Sequence, residues 1–406
     1  MKKNYLKITA GVMSSAMLIG LCAAGVPAKV IAATEHWNDA SASATQWNQW
    51  KNNWNTYSSN YEHVSLTPGA DQTQLNLAWY SHTTETPAVR IATKQNMDGA
   101  KEFVGTQTEA VTIDGVKYFS NKATVKGLKE NTKYYYQVFQ NGKWQDAETY
   151  TTKSFDSFSF LYVGDPQIGA SKNQTSTEQE KMVSAGNEVS SAAKDNLAAR
   201  NDGYNWNNIL NDAVKDHEDV SFIVSAGDQV NAGKNEREYA AYLGADALAS
   251  LPVATTIGNH DSVSNQYTLH FNNPNAFSDK DANYIQGKTE AGTDYYYRYG
   301  NTLFMVLDTN NYNCATHENV MKKAISENKD AKWRIVVFHQ DIYGSGYDHS
   351  DSDGMVLRTQ LTPLMDKYDV DVVLQGHDHT YSRTYQLQGD GKSHTAYGKD
   401  VDMKAA

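Results

Sequence analysis

Cysteine is nearly absent from this sequence, because its 406 residues contain only Cys22 and Cys314. There is no framework of disulfides, and no cysteine cluster could bind a structural zinc ion. Stability must therefore come from burial of an apolar core or from metal bound by other side chains. The length of the chain favours two domains.

Long apolar segments are also absent after residue 33, so we expect no membrane-spanning helix in that part of the chain. Residues 1–33 place lysines before an apolar segment and end in small residues, which is the order of a secretory signal. We therefore predict a secreted protein whose mature form keeps Cys314 alone and can form no intramolecular disulfide. A lipid anchor at Cys22 is the alternative, but the preceding Leu21 is larger than a lipidation motif requires.

Basic residues are fewer than acidic residues. The sequence has 36 lysines and arginines and 47 aspartates and glutamates, so its net charge is −11. Four of the lysines lie in the predicted signal, so the mature chain is more acidic still. An acidic surface repels polyanions, and we expect no nucleic-acid partner.

Residues 34–61 are predicted to form a helical linker that carries an aromatic stripe. The spacing of the aromatic side chains alternates between three and four residues, which places them on one face of a helix. They are Trp47, Trp50, Trp54, Tyr57 and Tyr61. The stripe is expected to pack on the next domain of the protein; the alternative is an exposed surface that contacts glycan or cell wall.

Residues 62–152 change to a period of two, as in "TQLNLAWYS", and their short alternating strands predict an all-β sandwich with Trp79 in its core. Leu128, Thr132 and Tyr134 in "GLKENTKYYYQV" have the spacing of a tyrosine corner. This segment resembles a fibronectin type III domain, and nothing in it indicates chemistry.

From residue 153 to residue 406, near-continuous apolar strands alternate with helical or loop segments, which predicts an α/β layered domain. Five of these strands are followed directly by polar residues. The five segments are "FSFLYVGDPQ", "VSFIVSAGDQVN", "PVATTIGNHD", "WRIVVFHQD" and "VDVVLQGHDH". Ligands of α/β domains bind at the carboxyl ends of the strands, so the polar residues can converge there.

Each strand end has an ordinary explanation when it is taken alone, such as a turn, a helix cap or a structural histidine. Five such ends in one domain favour a common site. The donors are carboxylates, an amide oxygen and imidazoles without a thiolate, which suits iron, manganese or zinc. Two such ions can hold a hydroxide that attacks phosphorus.

The order GD, GDxxN, GNHD, H and GHDH is similar to that of the calcineurin-like metallophosphoesterases. Together with the β domain before it, the pattern resembles the purple acid phosphatase branch over residues 62–385. The resemblance implies a β-sandwich core flanked by helices and a centre of two divalent metal ions. The implied ligands are Asp165, Asp228 and His379 for the first metal and Asn259, His339 and His377 for the second, with Asp228 bridging.

The resemblance also implies that His260 contacts the phosphate or protonates the leaving group. Two positions depart from the family. Asn231 replaces the tyrosine whose bond to iron gives the purple colour, so we expect a colourless site. Gln167 stands where the wider superfamily has histidine and the purple branch has glycine, and it either ligates the first metal or makes a hydrogen bond around it.

Other histidines carry weaker signals. His349 follows the His339 strand on a loop where the family often has residues that face the substrate, although a solvated surface histidine is the simpler interpretation. His270 and His317 have no context that distinguishes them from surface residues. The resemblance further leads us to expect strands beyond Arg383, where only 23 residues follow, so we expect either a shorter closure or a fragment.

The sequence therefore predicts a secreted phosphohydrolase that cleaves small phosphomonoesters. A phosphodiesterase or nucleotidase that uses the same metals is the first alternative. The second is a cell-surface binding protein whose phosphatase domain is vestigial.

Overall fold

The computed structural model describes residues 44–173, 190–277 and 288–384, apart from 345 and 347, together with 387. The predicted signal peptide and most of the C-terminal tail lie outside these residues. Within them, none of the helices combines the length and the apolar composition that a membrane span requires.

The N-terminal part folds as the predicted all-β domain. Its strands are β1 (Ser65–Pro68), β2 (Gln74–Ser81), β3 (Ala88–Ala92), β4 (Lys101–Val104), β5 (Thr106–Ile113), β6 (Val116–Lys126), β7 (Lys133–Gln140), β8 (Lys143–Trp144) and β9 (Glu148–Thr151). One sheet has the order β1-β2-β6-β5, and the other has the order β4-β3-β7-β8 with β9 also paired to β7. Trp79 lies buried in the core that both sheets share.

The predicted tyrosine corner is present. The hydroxyl oxygen of Tyr134 accepts a hydrogen bond of 2.8 Å from the backbone N–H of Lys129, and Leu128 is buried beside it. The corner closes the turn into β7 and fixes how this strand enters the sheet.

The C-terminal part forms the predicted α/β layers. Its strands are β10 (Ser159–Val163), β11 (Val220–Ser225), β12 (Val253–Ala254), β13 (Tyr295–Tyr299), β14 (Thr302–Val306), β15 (Trp333–Val337) and β16 (Val372–Leu374). They form a parallel sheet β10-β11-β12 and a sheet β13-β14-β15-β16 whose last three strands are parallel. Apolar side chains from both sheets make the core between them.

Helices cover the outer faces of the two sheets. In chain order they are α1 (Ala44–Ser58), α2 (Ser191–Asp216), α3 (Glu236–Leu243), α4 (Gln266–His270), α5 (Cys314–Glu327) and α6 (Asp353–Lys367). The first three pack with the β10-β11-β12 sheet, whereas α5 and α6 pack with the other sheet.

Helix α1 carries the predicted aromatic stripe, but the stripe packs on a different partner from the one expected. Trp47, Trp50 and Trp54 are buried against α2 and α3 of the α/β domain rather than on the β domain that follows α1 in sequence. The indole of Trp50 donates a 2.8 Å hydrogen bond to the carbonyl oxygen of Arg200. The alternative of an exposed glycan-binding stripe is wrong for these three tryptophans, because a glycan cannot reach them.

The two domains are joined by a buried polar interface that the sequence did not predict. His270 is 5% exposed rather than a surface residue, and its ring stacks between those of Tyr80 and Tyr239 at 4.4 Å from each. Its Nε2 atom lies 2.7 Å from a carboxylate oxygen of Glu236. Ser65 adds a hydrogen bond of 2.7 Å to the backbone oxygen of His270, so both domains hold this residue.

Replacement of Trp50 by alanine is expected to destabilise the protein by about 3–5 kcal/mol, because it leaves a cavity between α1 and α2 and removes the hydrogen bond from the indole to Arg200. Thermal or denaturant unfolding measures this loss. Asn52→Ala, on the exposed face of α1, is the matched control and should change stability by less than about 0.5 kcal/mol. Equal effects of the two substitutions would contradict the packing of α1.

Candidate metal centre

The predicted ligands lie at the carboxyl ends of five parallel strands. Asp165 follows β10, Asp228 follows β11, Asn259 follows β12, His339 follows β15, and His377 follows β16. Backbone hydrogen bonds tie these ends together: the N–H of Asp165 donates to the oxygen of Gly227, and the N–H of Gly376 donates to that of His339. The two sheets therefore deliver their polar ends to one place.

Glycines allow the loops to approach this closely. A Cβ atom on Gly258 would lie 1.9 Å from a carboxylate oxygen of Asp228. This distance is too short for any side chain to fit at position 258. Gly227 adopts φ +115°, and a Cβ there would lie 2.5 Å from Nδ1 of His339. The glycines of the GDxxN and GNHD motifs are thus required by contact with the candidate ligands.

The site also concentrates unusual backbone geometry. Left-handed φ angles, which cost energy for residues other than glycine, are found at Asp165 (48°), Gln167 (39°), Asp228 (50°), His377 (74°) and His379 (51°). Such conformations persist where surrounding contacts impose them, and they cluster at functional sites. Here they occur directly after β10, β11 and β16.

Three donors form the centre of the group. Potential ligand atoms of Asp228, His339 and His377 all lie within 4.8 Å of one another. Nε2 of His339 lies 3.3 Å from Oδ2 of Asp228 and 2.9 Å from Oδ1 of Asn259. The other ring nitrogen, Nδ1, donates to the carbonyl oxygen of Ala226 at 2.9 Å, which directs Nε2 into the site.

Asp165 and His379 lie next to this group. Oδ1 of Asp165 is 3.8 Å from Nε2 of His379 and 3.9 Å from Nδ1 of His339. Both carboxylate oxygens of Asp165 accept from the N–H of His377 at 3.0 Å. The imidazole of His379 is 57% exposed, so this side of the site is open to solvent.

His260 lies next to the carboxylate of Asp228. Its backbone N–H donates to Oδ1 of Asp228 at 2.9 Å, and its ring atom Nε2 is 4.0 Å from Oδ2 of Asp228. The ring is 33% exposed and can be reached by a ligand at the site. Gln167 is 8% exposed, and its amide nitrogen lies 2.9 Å from Nε2 of His260.

His349 is half-buried beside the candidate ligands rather than fully solvated. The centroid of its ring lies 3.9 Å from that of His377, and Nδ1 lies 3.0 Å from Oδ1 of Asp378. Asp378, between the two histidines of GHDH, also accepts from the N–H of Gly346 at 2.7 Å. It thereby fastens the His349 loop to the strand end that carries His377.

Sequence reasoning assigned no role to two acidic residues that brace the site. Asp261 is fully buried, and its Oδ2 atom accepts from the N–H of Gly258 at 3.0 Å and more weakly from that of Gln229 at 3.4 Å. It therefore joins the loops that carry Asn259 and Asp228. Asp353, at the start of α6, lies 3.5 Å from Nε2 of His377. The motif GNHD contained the signal for Asp261, but no local pattern marks Asp353.

His317 is likewise buried rather than at the surface. Its Nδ1 lies 2.7 Å from Oδ2 of Asp294, and its Nε2 donates to the carbonyl oxygen of Asn311 at 2.8 Å. Burial lowers the pKa of His317, but the contacts with Asp294 outweigh this effect and raise it. The pair lies under the loops that follow β14.

The site concentrates negative charge that needs a cation. Burial opposes ionisation of Asp228, but His339 and His260 outweigh it and lower its pKa. Burial likewise opposes protonation of His339, yet Asp228 and Asp165 raise its pKa to about 10. Without metal, the proton of His339 supplies the positive charge that these carboxylates require. Carboxylate, amide and imidazole donors in this arrangement fit divalent metal ions.

Comparisons with known proteins concern the family and the fold of the two domains. Residues 158–381 match the family model described as calcineurin-like phosphoesterase, and residues 61–152 match the purple acid phosphatase N-terminal domain. Purple acid phosphatase PPD1 from seeds of yellow lupin (Lupinus luteus) superposes with a TM-score of 0.57 and 16% identity, over 80% of this chain and 59% of the lupin chain. The structure of PhoD superposes with a TM-score of 0.46 and 12% identity, over 79% of this chain and 72% of the PhoD chain.

Curated relatives match over a shorter segment. Two uncharacterized proteins of Mycobacterium tuberculosis, from strains CDC 1551 / Oshkosh and H37Rv, are 34% identical over 73 residues. The match spans 18% of this chain and 14% of each relative.

Metal binding is expected to release protons, because the raised pKa of His339, about 10, keeps this ligand protonated at neutral pH in the metal-free protein. Affinity for Zn²⁺ or Mn²⁺ should therefore rise with pH up to that value. Calorimetric titration in buffers of different ionisation enthalpy counts the protons released. Binding without proton release would contradict the assignment of His339 as a ligand.

Proposed function

Because this chain belongs to the calcineurin-like phosphoesterase family, we propose that it is a secreted, metal-dependent hydrolase of small phosphomonoesters. The observation that carries the proposal is the convergence of the strand-end donors on one site. Three of them, Asp228, His339 and His377, have ligand atoms within 4.8 Å of one another. The predicted signal over residues 1–33 supports secretion.

The donors divide naturally into two sets that share Asp228. Asp165 and His379 would hold the first ion together with Asp228, and Asn259, His339 and His377 would hold the second. Two divalent ions, when bound, would activate water and neutralise charge on the phosphoryl group. Iron, manganese and zinc all suit these donors.

His260 is the candidate proton donor to the leaving group. Its ring is partly exposed next to Asp228, and its backbone is anchored to the same carboxylate. A general acid at this place would protonate the departing oxygen and contribute about 10²- to 10⁴-fold to the rate. His349, against His377, is the candidate for contact with the substrate.

The substrate class follows from charge. Two divalent ions bring more positive charge than the two aspartates remove, so the loaded site is positive within an acidic protein. A phosphomonoester dianion suits such a site better than a singly charged diester. Phosphodiesters and nucleotides remain the alternative substrates, since the same metals can act on them.

A cell-surface binding protein with a vestigial site is less well supported. The candidate ligand set is complete, and the tryptophans that suggested a wall- or glycan-binding surface are buried against α2 and α3. The loaded enzyme should also be colourless, because Asn231 stands where the purple enzymes have tyrosine.

The experiment is elemental analysis of the purified protein combined with hydrolysis of a chromogenic phosphomonoester and its matching diester. We expect about two metal ions per chain and preferential turnover of the monoester. His377→Ala should lose metal and at least about a hundredfold in kcat. An absorption spectrum of the same sample tests for the purple band.

The matched control is His82→Ala, a half-exposed histidine of the β domain that pairs with Glu62. It should keep both metal content and activity. A protein without bound metal and without turnover would contradict the proposal and favour the binding function. Equal or faster turnover of the diester would favour the phosphodiesterase.

A further inference from the structure

Several large apolar side chains are exposed on the segments that surround the candidate ligands. Within the described residues, half of the large apolar side chains that are exposed lie on the loops after β12, β14 and β16 or in the first turn of α6. They are Val263, Tyr312, Met355, Val356 and Tyr381. Single exposed apolar residues are common on protein surfaces, whereas a group of them next to a polar site indicates a binding surface.

Three of these residues belong to two segments that approach His377. Asp353 begins α6, and its carboxylate lies 3.5 Å from Nε2 of His377. Met355 and Val356, in the same turn of α6, are 50% and 43% exposed, and Tyr312 on the loop after β14 is 45% exposed. Partial burial raises the pKa of Tyr312, and the nearby charge of Asp353 raises it further. We call Tyr312, Met355 and Val356 the apolar rim.

The two segments of the apolar rim are held together by the core beneath them. Cys314, two residues after Tyr312, and Leu357, directly after Val356, are buried in the same apolar cluster. The loop after β14 and the first turn of α6 are therefore fixed relative to each other. Their exposed side chains stand beside the candidate metal centre.

The loop after β14 supplies no candidate ligand, but Asn310 ties it to two loops that do. Nδ2 of Asn310 donates to the backbone oxygen of Ile257 at 3.0 Å, two residues before Asn259. Oδ1 of Asn310 accepts from the amide nitrogen of Gln340 at 2.9 Å, directly after His339. The loop is thus anchored to the site at two points.

Buried His317 fixes the part of this loop that lies next to Tyr312. Its Nε2 atom lies 2.8 Å from the carbonyl oxygen of Asn311, and its Nδ1 atom lies 2.7 Å from a carboxylate oxygen of buried Asp294. An exposed aromatic ring on a segment held in this way loses little conformational freedom when it binds a ligand. Tyr312 is therefore suited to be an anchor for a ligand.

The composition around the apolar rim selects the kind of group that it fits. Asp351 is exposed, and Asp353 is 28% exposed at the start of α6. Carboxylates at this place repel a second anionic group of a ligand, whereas the rim gains free energy by covering apolar surface. An apolar, uncharged group suits both properties.

We propose that the apolar rim binds the organic group of the phosphomonoester, so that the substrates are phosphate esters of apolar alcohols or phenols. Tyr312 is then the residue that determines specificity, with Met355 and Val356 as the second part of the contact. The inference rests on the proposed function, in which the phosphoryl group lies at the metal centre.

The test compares 2-phenylethyl phosphate with ethyl phosphate, whose leaving alcohols are nearly equal in acidity and differ in apolar surface. For the wild-type protein, kcat/KM should be about tenfold higher for the phenylethyl ester. Tyr312→Ala should remove most of this preference by raising KM for that ester about tenfold, while ethyl phosphate and metal content are unaffected. Tyr312→Phe, which keeps the ring, should retain the preference, and Met355→Gln should reduce it.

Tyr135→Ala is the matched control, because Tyr135 is a partly exposed tyrosine of the β domain whose ring lies 5.2 Å from Nζ of Lys133. It should leave the kinetics of both esters unchanged. Equal kcat/KM for the two esters in the wild-type protein would overturn the proposal. Equal losses for both esters in Tyr312→Ala, or a preference that survives this substitution, would overturn it as well.

A binding measurement without turnover separates this inference from the proposed function. Calorimetry with metal-loaded protein compares 2-phenylethylphosphonate with ethylphosphonate, whose C–P bonds are not hydrolysed. Tighter binding of the phenylethyl compound that is lost in Tyr312→Ala would support the apolar rim even if the protein hydrolyses no ester. Equal affinities, or no binding of either compound, would overturn the inference even in an active enzyme.

Discussion

The burial of Asp228 among charged partners is the constraint on which this structure depends. The negative charge of a carboxylate that is 1% exposed must be balanced by nearby partners. Here the partners are Nε2 of His339 at 3.3 Å and the backbone N–H of His260. The loops around Asp228 are shaped by the close approach of those partners. Gly258 has no side chain because Asp228 occupies that space, and Asp261 joins the two loops that must meet there.

The two sheets make this convergence possible. Parallel strands present their carboxyl ends to one edge, and the core between the sheets holds the two edges together. The proton of His339 balances the carboxylates when no metal is bound, and a cation would replace it. The helices pack on the outer faces of the sheets, and α6 also brings Asp353 to within 3.5 Å of Nε2 of His377.

The strands and the candidate ligands could be predicted from sequence because each strand is a continuous apolar segment that ends abruptly in polar residues. The buried tyrosine corner was predictable for the same reason, since its signal is local. The partners of Trp50, His270 and His317 were not predictable, because they come from segments distant in the chain. His349 and Gln167 show the same limit: the sequence marked them as candidates, but only tertiary contacts reveal that one stacks on His377 and the other contacts His260.

The central claim is that these strand ends form one centre for two metal ions that share Asp228. Anomalous diffraction from a crystal of the metal-loaded protein, collected at the absorption edge of the bound element, tests it most directly. The account predicts two peaks about 3.5–4 Å apart on either side of the Asp228 carboxylate. A single peak, or peaks away from Asp228 and His339, would contradict it.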